Sequence, residues 1–315
     1  MRRYVTQRLA LAVPTVILVT FAVFAIVQLL PGDTAAYMAG PEGKPEDIER
    51  IRTEYHLDEP VPVQYVFWIG NVLRGDFGTS AALTRVPVRT LLGERLPATL
   101  ELTILAMTLS LVVSIPVGLI SAMRRDSIVD LASTTTSLAG ISLPNFVLAY
   151  GLIFVFALKL GWLPPSGYVK LVDDPWQNLE RMILPAITLA GSTVAAQSRL
   201  LRTATLETMS NDYVRTARAK GLGGRIIMSR HVLRNALIPF VTVAALQFGF
   251  LLSGGVIVET VFAIPGIGSL AVASILGRDI AVLQGVVLVA ALFYVFITFS
   301  LDIVYAKLDP RIGYS

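Results

Sequence analysis

The sequence contains no cysteine and only two histidines, His56 and His231, which lie far apart in the chain. Without cysteine the chain can form neither a disulfide bond nor a thiolate metal site. The two histidines share no ligand-spacing motif, so the sequence indicates no metal site. Charged residues are also scarce, at 15% of the chain.

Motifs for ATP binding and hydrolysis are missing as well. The segment Gly40-Pro-Glu-Gly43-Lys44 superficially resembles a phosphate-binding loop, but its glycine spacing is wrong and Pro45 follows the lysine. No nucleophile elbow or other hydrolytic motif is present, which argues against a membrane-embedded hydrolase. The net charge is only +4 and no compact basic patch is interleaved with aromatic residues, so nucleic acid is not an expected partner. We expect a non-catalytic chain; if ATP drives it, hydrolysis takes place on another chain.

Apolar residues dominate instead, at 54% of the 315 residues, and the mean hydropathy is +0.68. A soluble chain of this length would suggest two domains, but this composition is typical of a polytopic membrane protein. The basic segment Met1–Arg8 precedes the apolar run Leu9–Leu30, which is too long for the hydrophobic region of a cleaved signal peptide. We therefore interpret the run as a retained first transmembrane helix.

The apolar runs predict an all-α fold with six transmembrane helices, with some tilt or a kink at Pro116 and Pro144. The polar segment 31–97 predicts an extracytoplasmic insertion that contains two amphipathic helices. The chain thus divides into a first helix (1–30), the insertion (31–97) and a five-helix core (98–315). The predicted spans are Leu9–Leu30, Ala98–Met123, Leu131–Leu160, Ile183–Leu201, Leu237–Val258 and Val282–Tyr305.

The charges orient this topology. Lysine and arginine concentrate in the segments on the side of the N-terminus, whereas most acidic residues lie in the segments on the other side, mainly between Asp33 and Glu94. This asymmetry satisfies the positive-inside rule and predicts that both termini are cytoplasmic. Small residues also recur at every fourth position in three spans, which favours close helix packing within this chain or against a second one. These residues are Ser110, Ser114, Gly118, Ala122, Thr136, Gly140, Ala245, Gly249 and Ser253.

A basic segment between two apolar runs, Asn211–Pro239, stands out most. It predicts two short helices: Ser210 or Asn211 caps the first, Gly221 ends it in a left-handed conformation, and Pro239 stops the second. The simplest interpretation is a basic loop that only fixes membrane orientation.

The order of residues in this segment is more specific than its charge. The motifs RTARAKG and LRNALIP resemble the coupling loop that permease subunits of ABC importers insert into their ATPase partners. That loop commonly begins Glu-Ala-Ala, whereas Arg215, Thr216 and Ala217 occupy these places here, so an ionic contact of the glutamate does not carry over. VQYVFWIGNVLRGDFGTS and the C-terminal LDPRIGY extend the resemblance over essentially the whole chain. The chain is similar to the B-type membrane subunit of the dipeptide, oligopeptide and nickel ABC importers.

The resemblance implies a type I ABC importer permease fold in a bacterial inner membrane, surrounded by lipid. It implies a second homologous permease, two cytoplasmic ATPase subunits that bind ATP and magnesium, and an extracytoplasmic solute-binding protein. This chain itself would hold no cofactor. The coupling loop would be residues 204–236, and the implied coupling residues are Arg215, Ala217, Arg218, Gly221, Arg230, Arg234 and Pro239.

Short peptides are the substrate that the resemblance favours, with nickel chelates, glutathione, opines or oligosaccharides as alternatives. An ion-coupled secondary transporter is the rival mechanism. It would usually place acidic residues near the middle of the membrane, whereas Glu101, Glu259 and Asp302 fall near the ends of predicted spans.

Two further sets of residues are candidates for the transport path. Asn145 and Gln247 are uncharged polar residues at membrane depth, which would either line the path or form interhelical hydrogen bonds. The loop Glu259–Asp279 is apolar yet broken by proline and glycine, and Ser269 is placed to cap a helix from Leu270 to Leu276. We expect this loop to form an outer gate, the alternative being a helix that rests on lipid. The candidate gate residues are Pro265, Gly266, Gly268 and Ser269.

Overall fold

The computed structural model describes residues 2–28, 33–39, 43–54, 56–81 and 86–308. Most of the C-terminal LDPRIGY motif and part of the Gly40–Lys44 segment lie outside these residues. Most of the described residues are helical and none forms a strand, which confirms the predicted all-α class. The helices are α1 (Arg2–Gln28), α2 (Thr34–Ala39), α3 (Pro45–Glu54), α4 (Val61–Leu73), α5 (Val88–Met123), α6 (Ile128–Ser142), α7 (Asn145–Leu152), α8 (Pro175–Ser210), α9 (Asp212–Ala219), α10 (Gly224–Ile226), α11 (Leu233–Val261), α12 (Ile267–Leu276) and α13 (Ile280–Leu308). Two π-helical turns, Ile153–Lys159 and Ile227–Val232, extend α7 and precede α11.

Within the described part of the chain, three helices are long and apolar enough to cross a membrane: Val88–Met123, Gly224–Leu252 and Ile280–Ser300. The pair Ile128–Ser142 and Asn145–Lys159 adds a fourth span if the two helices are counted together. The six-span count therefore stays a prediction. Helix α8 covers the predicted fourth span but is not among these helices. Helix α8 carries polar residues that lower its hydropathy, and Thr188, Gln197 and Ser198 are buried within the protein.

The predicted third span, Leu131–Leu160, is not one continuous helix. Its two halves meet at an angle of 106°, a break much sharper than the predicted bend at Pro144. Leu143 and Pro144 both have extended backbone conformations. A proline disfavours the helical conformation of the residue before it, which accounts for the end of α6 at Ser142.

The chain divides into two compact units, one comprising Met1–Leu100 and Ala263–Phe299 and the other comprising Glu101–Phe262 and Ser300–Ser315. In the first unit, helix α4 packs on α1: the Tyr65 hydroxyl lies 2.7 Å from the Thr20 hydroxyl, and Phe24 contacts the Tyr65 and Trp68 rings. The helix of the second span begins ten residues earlier than the predicted Ala98, because α5 starts at Val88. The first turns of α5 bury their apolar side chains against α12 and α13, and this packing extends the helix through Pro97.

Helix α8 is the centre of the second unit, where it packs against α6, α7 and α11. Small residues allow its close contacts. A Cβ atom added to Gly118 would lie 2.8 Å from the Ser198 carbonyl oxygen, and one added to Gly140 would lie 3.2 Å from the Ala195 Cβ. The small-residue rows of the second and third spans therefore serve packing against α8 in the same chain.

Candidate functional site

The basic segment begins where α8 ends. A single residue, Asn211, separates α8 from α9, and the Asn211 side chain makes no capping hydrogen bond. The Ser210 hydroxyl donates to the Glu207 carbonyl oxygen at 2.7 Å, inside the last turn of α8. Asn211 therefore occupies the predicted N-cap position of α9, but neither its side chain nor that of Ser210 caps the helix, because the serine hydroxyl bonds back to its own helix.

The predicted left-handed turn at Gly221 is confirmed, with φ of +77°. The Gly221 N–H donates to the Arg218 carbonyl oxygen at 2.9 Å, and the Leu222 N–H donates to the Ala217 carbonyl oxygen at 3.3 Å. These two bonds form a Schellman motif, which satisfies carbonyl groups at the end of α9. A Cβ atom at position 221 would meet nothing within 4 Å, so the glycine is required for its backbone conformation and not for space.

An apolar seam joins the two helical runs of the segment. Val214 and Ala217 of α9 pack with Ile227 and Val232 of the following π-helical turn, and all four side chains are buried. The Asn235 side-chain N–H also donates to the Tyr213 hydroxyl at 3.0 Å, a link that the sequence did not reveal. The two runs are therefore held together as one folded element.

The opposite surface of this element is basic. Arg215, Arg218, Arg230 and Arg234 are exposed, as are Lys220 and Arg225. The single salt bridge of the segment within the described part of the chain joins Arg215 to Asp212 at 3.6 Å, with both side chains largely exposed. Such a pair contributes little to stability. The segment therefore presents an excess of positive charge outward.

Pro239 does not stop the second helix, contrary to the prediction. Helix α11 runs from Leu233 to Val261 with Pro239 inside it. Ala236, one turn before the proline, and Phe240, directly after it, are buried against Leu201 and Ala204 of α8. This packing outweighs the loss of one backbone hydrogen bond at the proline.

The two predicted path residues line the same pocket. Asn145 from α7 and Gln247 from α11 face a cavity of about 220 Å³. The side-chain oxygen of Gln247 is buried and has no hydrogen-bond partner among the described residues. Sequence reasoning missed the contribution of α8, whose Leu189, Ser192 and Thr193 complete the lining with Phe250 and Leu251.

The predicted outer loop contains a helix, but that helix begins at Ile267 and not at Leu270. Ser269 lies inside its first turn. The Ser269 hydroxyl accepts a hydrogen bond from the Gly266 N–H at 3.0 Å and lies 2.9 Å from the Ile264 carbonyl oxygen, to which it donates. Gly266 and Gly268 are buried and Pro265 is half-buried. The Ile267 N–H donates to the Thr99 hydroxyl at 2.8 Å, which fixes the start of the helix to α5.

An ion pair with a buried carboxylate joins Arg202 of α8 to Asp130 of α6, and on α8 it lies between the pocket and the basic segment. The Arg202 guanidinium donates two hydrogen bonds to the Asp130 carboxylate, at 2.6 and 2.7 Å. The same carboxylate accepts from the Ser121 hydroxyl and, at 3.0 Å, from the Asp126 N–H. This cluster could not be recognised from the sequence, because its two charged residues are 72 positions apart.

Long apolar helices, a folded basic element between α8 and α11 and an uncharged pocket among the helices are features of an integral-membrane transport protein. Residues 114–314 match the family described as binding-protein-dependent transport system inner membrane component, and residues 1–103 match its N-terminal membrane component. The chain belongs to this family. It is therefore a permease subunit of an ABC importer, a class that works in complexes with ATPase and binding-protein partners.

Relatives support this placement over the full length of the chain. A glutathione transport system permease protein, GsiC of Escherichia coli (strain K12), is 41% identical over 314 residues, which is 100% of each chain. A Brucella suis biovar 1 (strain 1330) chain described as a peptide transport system permease protein is 40% identical, again over 100% of each chain.

Solved structures support the fold. Two crystal forms of the MetNI methionine ABC transporter in inward-facing conformations match with TM-scores of 0.57 and 0.56. Both matches cover 70% of this chain and 96% of the other at 19% identity, a likeness that concerns the fold alone. The predicted type I ABC importer permease fold is thereby confirmed.

Proposed function

We propose that this permease forms one half of the translocation path for short peptides, together with a second, homologous permease. The observation that carries the proposal is the basic element, whose two helical runs are locked by the Gly221 turn and the apolar seam of Val214, Ala217, Ile227 and Val232. A rigid element with outward arginines is suited to press against an acidic cleft of a partner and to transmit its movement.

Two cytoplasmic ATPase subunits would receive this element and would bind ATP and magnesium. Arg215, Arg218, Arg230 and Arg234 supply the charged contacts, and Ala217 and Gly221 hold the shape of the element. Pro239 lies inside α11, so its role is to shape that helix where it leaves the element. Coupling then requires that ATP and the loaded binding protein stabilise different states of the helices.

Short peptides are the proposed substrate class. The support comes from full-length relatives described as peptide and glutathione transport systems. Glutathione is itself a modified tripeptide, so both descriptions share the chemistry of the peptide bond. An extracytoplasmic solute-binding protein would deliver the peptide, and Asn145 and Gln247 would line its path.

The proposed location is the bacterial inner membrane, with both termini in the cytoplasm. The excess of lysine and arginine in the segments on that side supports this orientation. The basic element would then face the cytoplasmic ATPases, whereas the loop around α12 would face the binding protein.

Reconstitution tests the proposed function. The purified permease, its homologous partner, the ATPases and the binding protein are placed in liposomes, and uptake of radiolabelled trialanine and glutathione is measured. We expect ATP-dependent uptake that falls to background when any partner is omitted. Uptake by this subunit alone under an ion gradient would support a secondary transporter instead. Uptake of only a nickel chelate, an opine or an oligosaccharide would contradict the peptide assignment.

We further propose that the loop Pro265, Gly266, Gly268 and Ser269 gates the outer end of the path. Ser269→Ala removes the hydroxyl that ties the turn to the first turn of α12. We expect peptide uptake to fall about fivefold or more, because the closed turn loses two hydrogen bonds, each of which contributes ~0.5–1.5 kcal/mol. Ser274→Ala is the matched control, because the Ser274 hydroxyl donates only within α12, to the Ala271 carbonyl oxygen. Equal uptake by both variants would contradict a gating role for the turn.

A further inference from the structure

The pocket between α7, α8 and α11 has an unusual combination of features. Asn145, Ser192, Thr193 and Gln247 provide amide and hydroxyl groups, and no charged side chain belongs to its described lining. The Gln247 side-chain oxygen is buried without a hydrogen-bond partner among the described residues. A buried acceptor in this state costs free energy unless a further group approaches it. A hydrogen-bond donor from outside the described chain would satisfy this oxygen.

The size of the cavity limits what this donor belongs to. At about 220 Å³ the cavity is smaller than the ~300–1,000 Å³ of pockets that enclose a whole drug-sized ligand. It can accommodate part of an extended substrate. Phe250, which is 69% exposed, lies at the edge of the cavity and offers an apolar surface beside its polar groups.

The chemistry of the lining points to the backbone of a peptide. A peptide bond presents one N–H donor and one carbonyl acceptor, and it carries no charge. Amide and hydroxyl side chains match both groups without favouring acidic or basic side chains of the substrate. The absence of a charge in the lining also keeps binding weak, which a site on a transport path requires if the substrate is to leave it.

We propose that this pocket is a transient binding site for the peptide backbone, in which the Gln247 side-chain oxygen accepts a hydrogen bond from a substrate N–H. Asn145, Ser192 and Thr193 donate to substrate carbonyl groups, and Phe250 contacts the neighbouring side chain. The proposal rests on the proposed peptide-transport function and adds to it a site that reads the backbone and not the sequence of the peptide.

The site is tested by changing both Gln247 and the amide N–H of the peptide, and by comparing uptake of each peptide in each variant. Trialanine and its analogue methylated at both peptide nitrogens, which lacks both amide N–H groups, are each supplied to the reconstituted complex. Uptake is divided by the amount of loaded binding protein, so that selection by the binding protein cancels. We expect wild type to prefer trialanine about two- to tenfold, the range that one hydrogen bond provides, and Gln247→Leu to lose this preference. Gln177→Leu, the same change at an exposed position on α8, should keep it.

Photocrosslinking gives a second measurement that does not depend on removing Gln247. Phe250 is replaced by the photoreactive p-benzoylphenylalanine, and Phe154, another exposed phenylalanine outside the pocket, is replaced in the same way as a control. Radiolabelled trialanine should be captured at position 250 during ATP-driven turnover and not at position 154. A preference for trialanine that persists in Gln247→Leu, or turnover without capture at position 250, overturns the site while leaving the proposed function intact. If wild type takes up no peptide at all, the proposed function and this site are both wrong.

Discussion

Gly221→Val should reduce substrate-stimulated ATP hydrolysis and peptide uptake by roughly tenfold or more, because a β-branched residue strongly resists the left-handed backbone found here. Gly221 has φ of +77° and closes the Schellman motif at the end of α9. Forcing the turn open would separate α9 from the π-helical turn that it packs against through the apolar seam. The arginines would then no longer lie on one rigid element. The ATPase rate with and without loaded binding protein measures this loss directly.

Two control variants separate this explanation from others. Gly221→Asn adds a side chain of similar size, but asparagine tolerates the left-handed conformation, so transport should be largely kept. Gly161→Val introduces the same strain at another left-handed glycine, φ +63°, that also has no atoms within 4 Å of a Cβ. It should leave the stimulated ATPase rate near that of wild type. Normal stimulation in Gly221→Val would show that the basic segment only orients the protein in the membrane.

The features that sequence reasoning predicted correctly depend on local signals. The long apolar runs give α11 and α13 directly, and Gly221 is recognisable because a glycine follows a helical run at the position that requires positive φ. Such features involve residues within one or two turns of each other. They need no knowledge of how distant segments pack.

The features that the sequence did not reveal depend on contacts between distant segments. Pro239 is a helix stop by local rules, and only the burial of Ala236 and Phe240 against α8 keeps the helix continuous. Ser192 and Thr193 are indistinguishable from packing residues until α8 is placed beside α7 and α11. The ion pair between Asp130 of α6 and Arg202 of α8 is likewise visible only once the two helices are placed side by side.

That ion pair gives the second large effect: Asp130→Ala should lower the free energy of unfolding by about 1–3 kcal/mol. The substitution removes the acceptor of two Arg202 hydrogen bonds and leaves the Ser121 hydroxyl and the Asp126 N–H without this partner. We place the effect below the ~3–5 kcal/mol of a fully buried pair because the Arg202 side chain is still 25% exposed. Denaturation of the purified protein in detergent measures the change.

An exposed pair provides the control for stability. Arg50→Ala removes a salt bridge at 3.2 Å in which the Arg50 side chain is 60% exposed, and such pairs contribute less than ~1 kcal/mol. Arg202→Lys should fall between the two, because lysine keeps the charge but cannot form the paired hydrogen bonds of a guanidinium. Asp130→Ala as stable as Arg50→Ala would contradict a structural role for the buried pair.

The position of Arg202 on α8 makes a functional effect expected as well. Helix α8 carries Thr193 in the pocket, then Arg202, and ends at Ser210 beside α9; Thr193 and Ser210 are about 26 Å apart along the helix. By tying α8 to the start of α6, the pair holds the part of the helix that would carry movement from the basic element to the pocket. We therefore expect Asp130→Ala to lower the amount of peptide taken up per ATP hydrolysed, and Arg202→Lys, which keeps a charge opposite Asp130, to lower that ratio less. If Asp130→Ala loses stability but keeps the wild-type ratio, the pair stabilises the fold without contributing to coupling.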